Sequence, residues 1–170
     1  MTKKYKDSII SLDTATKTGY AIYSNGKIIK SGTWKFSEKE REKELFLRLK
    51  RTIERYSVTM IVAEDVFKGK KSAYDVLCEL RGIVRAVAQI YKLPEIVCIP
   101  PVRAQIFMWG RRCGKDYKGT EKQKMIEAVT KLGYQLEKPK ADDEADAIGI
   151  LLTYLYSKGI QVTHPNGKRQ

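Results

Sequence analysis

Short apolar runs open the chain, and apolar residues at helical spacing follow. Residues 8–13 (Ser-Ile-Ile-Ser-Leu-Asp) form a brief apolar run ending in an acid and predict a strand. Residues 18–23 predict a second. Asn25-Gly26 then supplies the pair of positive φ angles that a two-residue hairpin favours. Residues 27–36, with Ile29, Trp34 and Phe36 as packing residues, complete a three-stranded antiparallel meander. Ser37 is a good N-cap, and Glu38, Glu40, Glu42 and Glu44 place acids where the helix dipole favours them. Leu45, Leu49 and Ile53 recur four apart and predict an amphipathic helix to about Tyr56. Residues 60–64 read as a buried strand, again ending in an acid. Residues 72–91 carry Ala73, Val76, Leu77, Leu80, Ile83, Val84 and Val87 at helical spacing. Another buried strand, 96–99, is stopped by Pro100-Pro101. A short helix over 102–109, a loop over 110–119, a helix capped by Thr120 and running to about Leu132, and a last helix over 142–158 finish the pattern.

The order β-β-β-α-β-α-β-α-α-α predicts an α/β fold: a five-stranded mixed sheet, three antiparallel strands plus two parallel ones reached through helical crossovers, flanked by helices. Residues 1–160 suit a single domain, and 161–170, which lack packing residues, read as a flexible tail. At 170 residues and 42% hydrophobic the chain can bury a core, which a disordered polycation cannot. No run reaches the roughly 18 apolar residues of a membrane helix. No apolar stretch precedes the first strand, so no signal peptide is expected. Cys78, Cys98 and Cys113 form no C-x-x-C pair, and His164 is the sole histidine, so a zinc site or a Cys–His nucleophile has little to build on. A reducing, cytoplasmic setting in a bacterial or phage-infected cell is the expectation. With 33 Lys+Arg against 20 Asp+Glu, the net charge of +13 points to a polyanionic partner, nucleic acid above all.

The acids sharpen that picture. Two central strands end in carboxylates, Asp13 and Glu64, and functional groups of α/β sheets collect at such rims. In the last helix Asp143 and Asp146 stand i and i+3 and share a face. Each acid has a plainer role on its own: Asp13 as a turn cap, Glu64 as a solvated strand end, Asp142, Asp143 and Glu144 as acids drawn to a helix start. Asp146 is harder to explain so, because it interrupts the apolar run around Ala145, Ala147 and Ile148. Converging carboxylates repel one another unless a cation joins them, and hard oxygen ligands suit Mg²⁺ or Mn²⁺. Two such ions about 4 Å apart can drive phosphodiester cleavage.

Three segments then resemble a family. Residues 11–22 (Ser-Leu-Asp-Thr-Ala-Thr-Lys-Thr-Gly-Tyr-Ala-Ile), 62–67 (Val-Ala-Glu-Asp-Val-Phe) and 141–148 (Ala-Asp-Asp-Glu-Ala-Asp-Ala-Ile) look like the three acidic motifs of RuvC-type Holliday junction resolvases, of the ribonuclease H-like superfamily. The likeness spans residues 8–156, in order, and takes in the helix start at 72–82. It implies a ribonuclease H-like fold and an endonuclease that resolves branched DNA with two Mg²⁺ ions, Mn²⁺ substituting, leaving 5′-phosphate and 3′-hydroxyl ends. It also implies catalytic and metal-binding roles for Asp13, Glu64, Asp143 and Asp146, with Asp142 a geometric alternative to Asp143. Phe67 matches an aromatic set against bases at the junction centre, and Lys122 a basic residue facing the phosphate backbone. Two departures stand out: Thr14-Ala15 replaces the usual Pro-Gly after the first acid, and the 110–119 loop matches the cellular pattern poorly. Both suit a divergent, bacteriophage-like branch.

Two glycine-flanked loops carry much of the charge. Lys68, Lys70 and Lys71 follow Phe67, and Arg111, Arg112, Lys115 and Lys118 lie between Trp109 and Gly119 with Tyr117 among them. Flexible cationic loops with aromatics grip backbone and stack bases, although a charge run is commonly just a solvated face. Paired cuts in a two-fold junction need two sites, which a C2 homodimer supplies. The resemblance implies pairing through the 72–91 helix, whose several apolar flanks also suit a wholly buried core helix. Rival readings are a ribonuclease H-like nuclease acting on RNA or RNA–DNA hybrid, and a non-catalytic protein that binds branched nucleic acid. A phosphotransferase of actin type lacks its glycine-rich phosphate loop.

Overall fold

The structure is a computed structural model that describes residues 7–65, 71–110, 121–138 and 141–167, with only the backbone of 71–73 and 121. Its elements are β1 (Ser8–Asp13), β2 (Lys17–Ser24), β3 (Lys27–Lys35), α1 (Arg41–Tyr56), β4 (Val58–Glu64), α2 (Lys71–Ile90), β5 (Val97–Ile99), α3 (Pro101–Trp109), α4 (Glu121–Lys131) and α5 (Asp142–Ser157). The expected five-stranded mixed sheet is present, in the order β3-β2-β1-β4-β5. β1–β2 and β2–β3 pair antiparallel, while β1–β4 and β4–β5 pair parallel. The hairpin turn falls at Asn25 (φ 52°) and Gly26 (φ 82°), as the sequence predicts.

Strand parity sorts the side chains onto two faces. Ile10, Leu12, Tyr20, Ile22, Ile61 and Ala63 join Leu45, Leu49 and Ile53 of α1 and Leu80, Val84 and Val87 of α2 in one core. Ile9, Ala21, Tyr23 and Val62 join Ala104 of α3, Met125 and Val129 of α4, and most of α5 in the other. α5 is buried along nearly its whole length, Ala145 and Ala147 through Leu155, because it lies across the centre of the sheet. Ser11 fixes it there, its hydroxyl donating to the Ala147 carbonyl at 2.7 Å.

Two boundaries differ from expectation. α1 begins at Arg41 rather than behind a Ser37 cap. The Ser37 amide instead donates to Glu44 Oε1 at 3.3 Å, so an acid seven residues on, in the first turn of the helix, covers the residue meant to cap it. The segment 161–167 is not the free tail its composition suggests. Val162 and His164 are buried, the Thr163 amide donates to the Gly26 carbonyl, and Tyr134 Oη lies 2.9 Å from His164 Nδ1. A few well-placed residues anchor this stretch where an apolar run is missing.

Candidate active site at the sheet rim

β1 and β4 run parallel, so their last residues, Asp13 and Glu64, reach the same edge of the sheet. Parity also sets their direction. Ile9 and Val62 lie in the core on the α5 side and Ser11 bonds α5, so two-residue steps aim Asp13 and Glu64 at that helix. α5 begins at this rim with Asp142, Asp143 and Glu144 in its first turn and Asp146 in its second. The approach depends on Gly19, the β2 residue paired with Asp13. A Cβ there would stand 1.7 Å from the Asp143 carbonyl oxygen, so only glycine lets strand and helix meet this closely.

Glu144 turns away from the other acids. It is 1% exposed, and its two oxygens accept from Ser31 Oγ at 2.6 Å and from the Glu137 amide at 2.8 Å. This buried carboxylate ties the first turn of α5 to β3 and to the segment before the helix, fixing the rotation that points Asp143 and Asp146 inward.

The remaining acids perturb one another strongly. Burial, then the Asp143 charge, raises Asp13 from 3.8 to about 7. Burial, then Asp13 and Asp146, raises Glu64 from 4.5 to about 8. Burial, then Asp13, raises Asp146 from 3.8 to about 8. Asp143 is raised as well, by burial and then by Asp142. Asp13 and Glu64 lie within side-chain hydrogen-bonding reach of each other, so two carboxyls that repel when ionised are held together at this rim. Burial also works against ionisation of Asp142, but a hydrogen bond and ion pair with Lys122 hold it below the ordinary carboxylate range. The charge of Lys122 also favours ionisation of Asp13, Asp143 and Asp146. No three His, Cys, Asp or Glu side chains among the described residues stand at ion-coordinating spacing. In this arrangement Lys122 is a cation set among the acids.

Beside them a cavity of about 250 Å³ is walled by Glu64, Asp146, Lys122, Gln105, Trp109 and Met125, among others. Acids, a lysine and an indole face therefore share one opening, which suits a phosphate ester with its flanking base.

Asp13, Glu64, Asp143, Asp146 and Lys122, all expected from sequence, meet here. Phe67, Lys68, Lys70, Arg111, Arg112, Lys115 and Lys118 lie outside the described residues, and of Lys71 only the backbone, at the start of α2, is described. Three contributors were not singled out from sequence. Gly19 interrupts a strand pattern, a recognised sign of close backbone approach. Arg81 sits on the apolar stripe of α2, between Leu77 and Val84, where a charge needs a reason. Glu144 carries no signal that separates it from its acidic neighbours.

No family model matches the chain. Curated relatives do. A crossover junction endodeoxyribonuclease RuvC of Dictyoglomus thermophilum is 26% identical over 164 residues, covering 88% of this chain and 97% of the relative. One from Brevibacillus brevis is 32% identical over 117 residues, covering 67% and 65%. Among solved structures, Thermus thermophilus RuvC in complex with a Holliday junction substrate superposes with a TM-score of 0.73 at 18% identity, covering 90% of this chain and 95% of that one. The yeast mitochondrial Holliday junction resolvase Ydc2 gives 0.59 at 15% identity, covering 89% and 78%. Fowlpox virus resolvase with junction DNA gives 0.58 at 19% identity, covering 88% and 99%.

Proposed function

We propose that this chain is a RuvC-type, metal-dependent, structure-selective endonuclease that resolves Holliday junctions and other branched DNA by paired phosphodiester hydrolysis. The observation that carries the reading is the meeting of Asp13, Glu64, Asp143 and Asp146 at one rim, where burial first and neighbouring acids second oppose the ionisation of each.

The donor set fits a hard divalent cation, since every acid offers oxygen and a cation offsets both the burial and the mutual repulsion that oppose their ionisation. Asp13, Glu64, Asp143 and Asp146 would hold Mg²⁺, with Mn²⁺ as a substitute. Two bound ions supply activation of water and stabilisation of the leaving oxygen. The chain's own residues do the rest. The carboxyls give up their protons as they become ligands. Lys122, 61% exposed along its side chain and already paired with Asp142, offers a cation to a phosphate entering the cavity. Trp109 presents an indole wall to the nucleotide beside the cut. Phe67 would stack on a base at the junction centre. Lys68, Lys70, Lys71, Arg111, Arg112, Lys115 and Lys118 would grip the arms through phosphate contacts, so that affinity falls steeply with salt.

Paired cuts require two such sites, and a C2 homodimer through α2 provides them. Support comes from the apolar residues α2 leaves uncovered: Ile90 is 62% exposed, and Val76, Leu77 and Ile83 are only half-buried. The rival readings are a non-catalytic, junction-binding protein and a nuclease directed at RNA–DNA hybrid. A single panel separates the readings. The protein is incubated with labelled four-way junctions, forks, linear duplexes and RNA–DNA hybrids in Mg²⁺ and in EDTA. Symmetric paired nicks in junctions, in Mg²⁺ only, are expected. Binding without nicking, even in Mn²⁺, would establish the non-catalytic reading, and preferential cutting of the hybrid would move the activity to RNA.

A further inference from the structure

Arg81 is 5% exposed, a depth at which a guanidinium loses most of its hydration and needs compensation. It rises from α2, on the face of the sheet opposite α5, and reaches β4 and β5, the neighbouring parallel strands on one side of the sheet. Nη2 donates to the main-chain carbonyl of Glu64, and Nη1 donates to Cys98 Sγ of β5 at 2.7 Å. The Cys98 thiol in turn donates to the Ile96 carbonyl at 3.8 Å. Just beyond Glu64, the Asp65 amide donates to the Ile99 carbonyl at 2.9 Å, so β4 and β5 remain paired up to the rim.

Both acceptors of the fork are neutral. Among the influences on Glu64, Arg81 acts toward ionisation, more weakly than the burial and the neighbouring acids that oppose it. A methionine or leucine would fill this apolar setting of Leu80, Val84 and Ala63 without the cost of burying a cation. A cation maintained there, bonded to the backbone of an acid, has its use at that acid.

We propose that Arg81 is a positioning residue for the acidic centre, its fork fixing the Glu64 backbone against β5 and α2 so that the Glu64 carboxyl is presented to the divalent ion. The inference rests on Glu64 being a metal ligand. Residues that orient a ligand from behind typically contribute about 10–100-fold in metal affinity or activity. Lysine cannot replace the function, since one ammonium does not span two acceptors in a fixed plane.

The test compares wild type, Arg81→Lys and Arg81→Met by three measurements: Mn²⁺ titration calorimetry without DNA, junction binding in EDTA, and junction cleavage at graded Mn²⁺. Both variants are expected to bind Mn²⁺ about 10–100-fold more weakly and to need correspondingly more Mn²⁺ for cleavage, with junction binding in EDTA within twofold of wild type. Should Arg81→Met fail to fold, Arg81→Lys decides. Wild-type Mn²⁺ affinity in Arg81→Lys overturns the proposal. So does a parallel fall in junction binding, Mn²⁺ affinity and melting temperature, which would mark a general structural role. If wild type binds Mn²⁺ but cuts no DNA, the nuclease reading fails while the Mn²⁺ titration still tests Arg81.

Discussion

Gly19→Ala perturbs the site without touching any acid. The added Cβ would lie 1.7 Å from the Asp143 carbonyl oxygen, 2.3 Å from its carbonyl carbon and 3.1 Å from the Glu144 nitrogen. All three are backbone atoms, so no side chain can swing aside. Strand and helix must part by roughly 1.5 Å or more before that pair reaches an ordinary contact distance. Gly19 is held on both sides, paired with Asp13 and with Thr33, so the helix is the element that moves. Its first turn would carry Asp143 and Asp146 away from Asp13 and Glu64. Overpacking of this kind costs about 1–3 kcal/mol. A displacement of about 1 Å at reacting groups can cost on the order of 100-fold in rate. Urea unfolding and junction cleavage in Mg²⁺ read the two effects separately. Gly32→Ala is the control: there the new Cβ meets Glu137 Oε1 at 2.6 Å, the mobile end of a side chain, and a cost under about 1 kcal/mol with near-normal cleavage is expected. Full activity and unchanged stability in Gly19→Ala would refute the claim that this contact sets the helix.

The raised acids predict an inverted pH dependence of stability in the metal-free protein. Asp13, Glu64 and Asp146 bind protons more tightly folded than unfolded, so between about pH 4 and their folded values near 7 to 8 the native state holds extra protons and loses stability as pH rises. Melting in EDTA should therefore be lower at pH 8.5 than at pH 5.5, with a shallower slope in Asp146→Asn; a slope as steep in that variant would contradict the assignment. Mn²⁺ binding should release protons, seen as a dependence of the calorimetric heat on buffer ionisation enthalpy, and no such dependence would count against carboxyl ligands. Glu144→Ala strips the acceptor from Ser31 and from the Glu137 amide and should cost about 1–3 kcal/mol with a loss of cleavage; a neutral result would remove its role in orienting α5.

Much of this architecture was legible in the sequence. Period-two and period-four apolar spacing is a direct image of which side faces the core, so all the strands and helices emerge in order. The acids were legible for a related reason, since Asp13 and Glu64 end apolar strands and Asp146 interrupts an apolar helix. What stayed hidden was decided by tertiary contact. Glu144 looks like its neighbours until Ser31 is brought beside it across 113 residues. His164 looks like part of a tail until Tyr134 receives it. Arg81 sits on a stripe whose buried depth only the packed sheet reveals.

The central claim is that the clustered carboxylates form a cleavage centre rather than a structural knot, and Asp146→Asn tests it most directly. The substitution keeps size and shape while removing the carboxylate that would serve as a ligand. Wild type and variant are incubated with a labelled four-way junction, with and without Mg²⁺. The account predicts paired nicks from wild type in Mg²⁺ alone, and a variant that binds the junction as tightly but does not cut it. Equal cleavage by both proteins would contradict it.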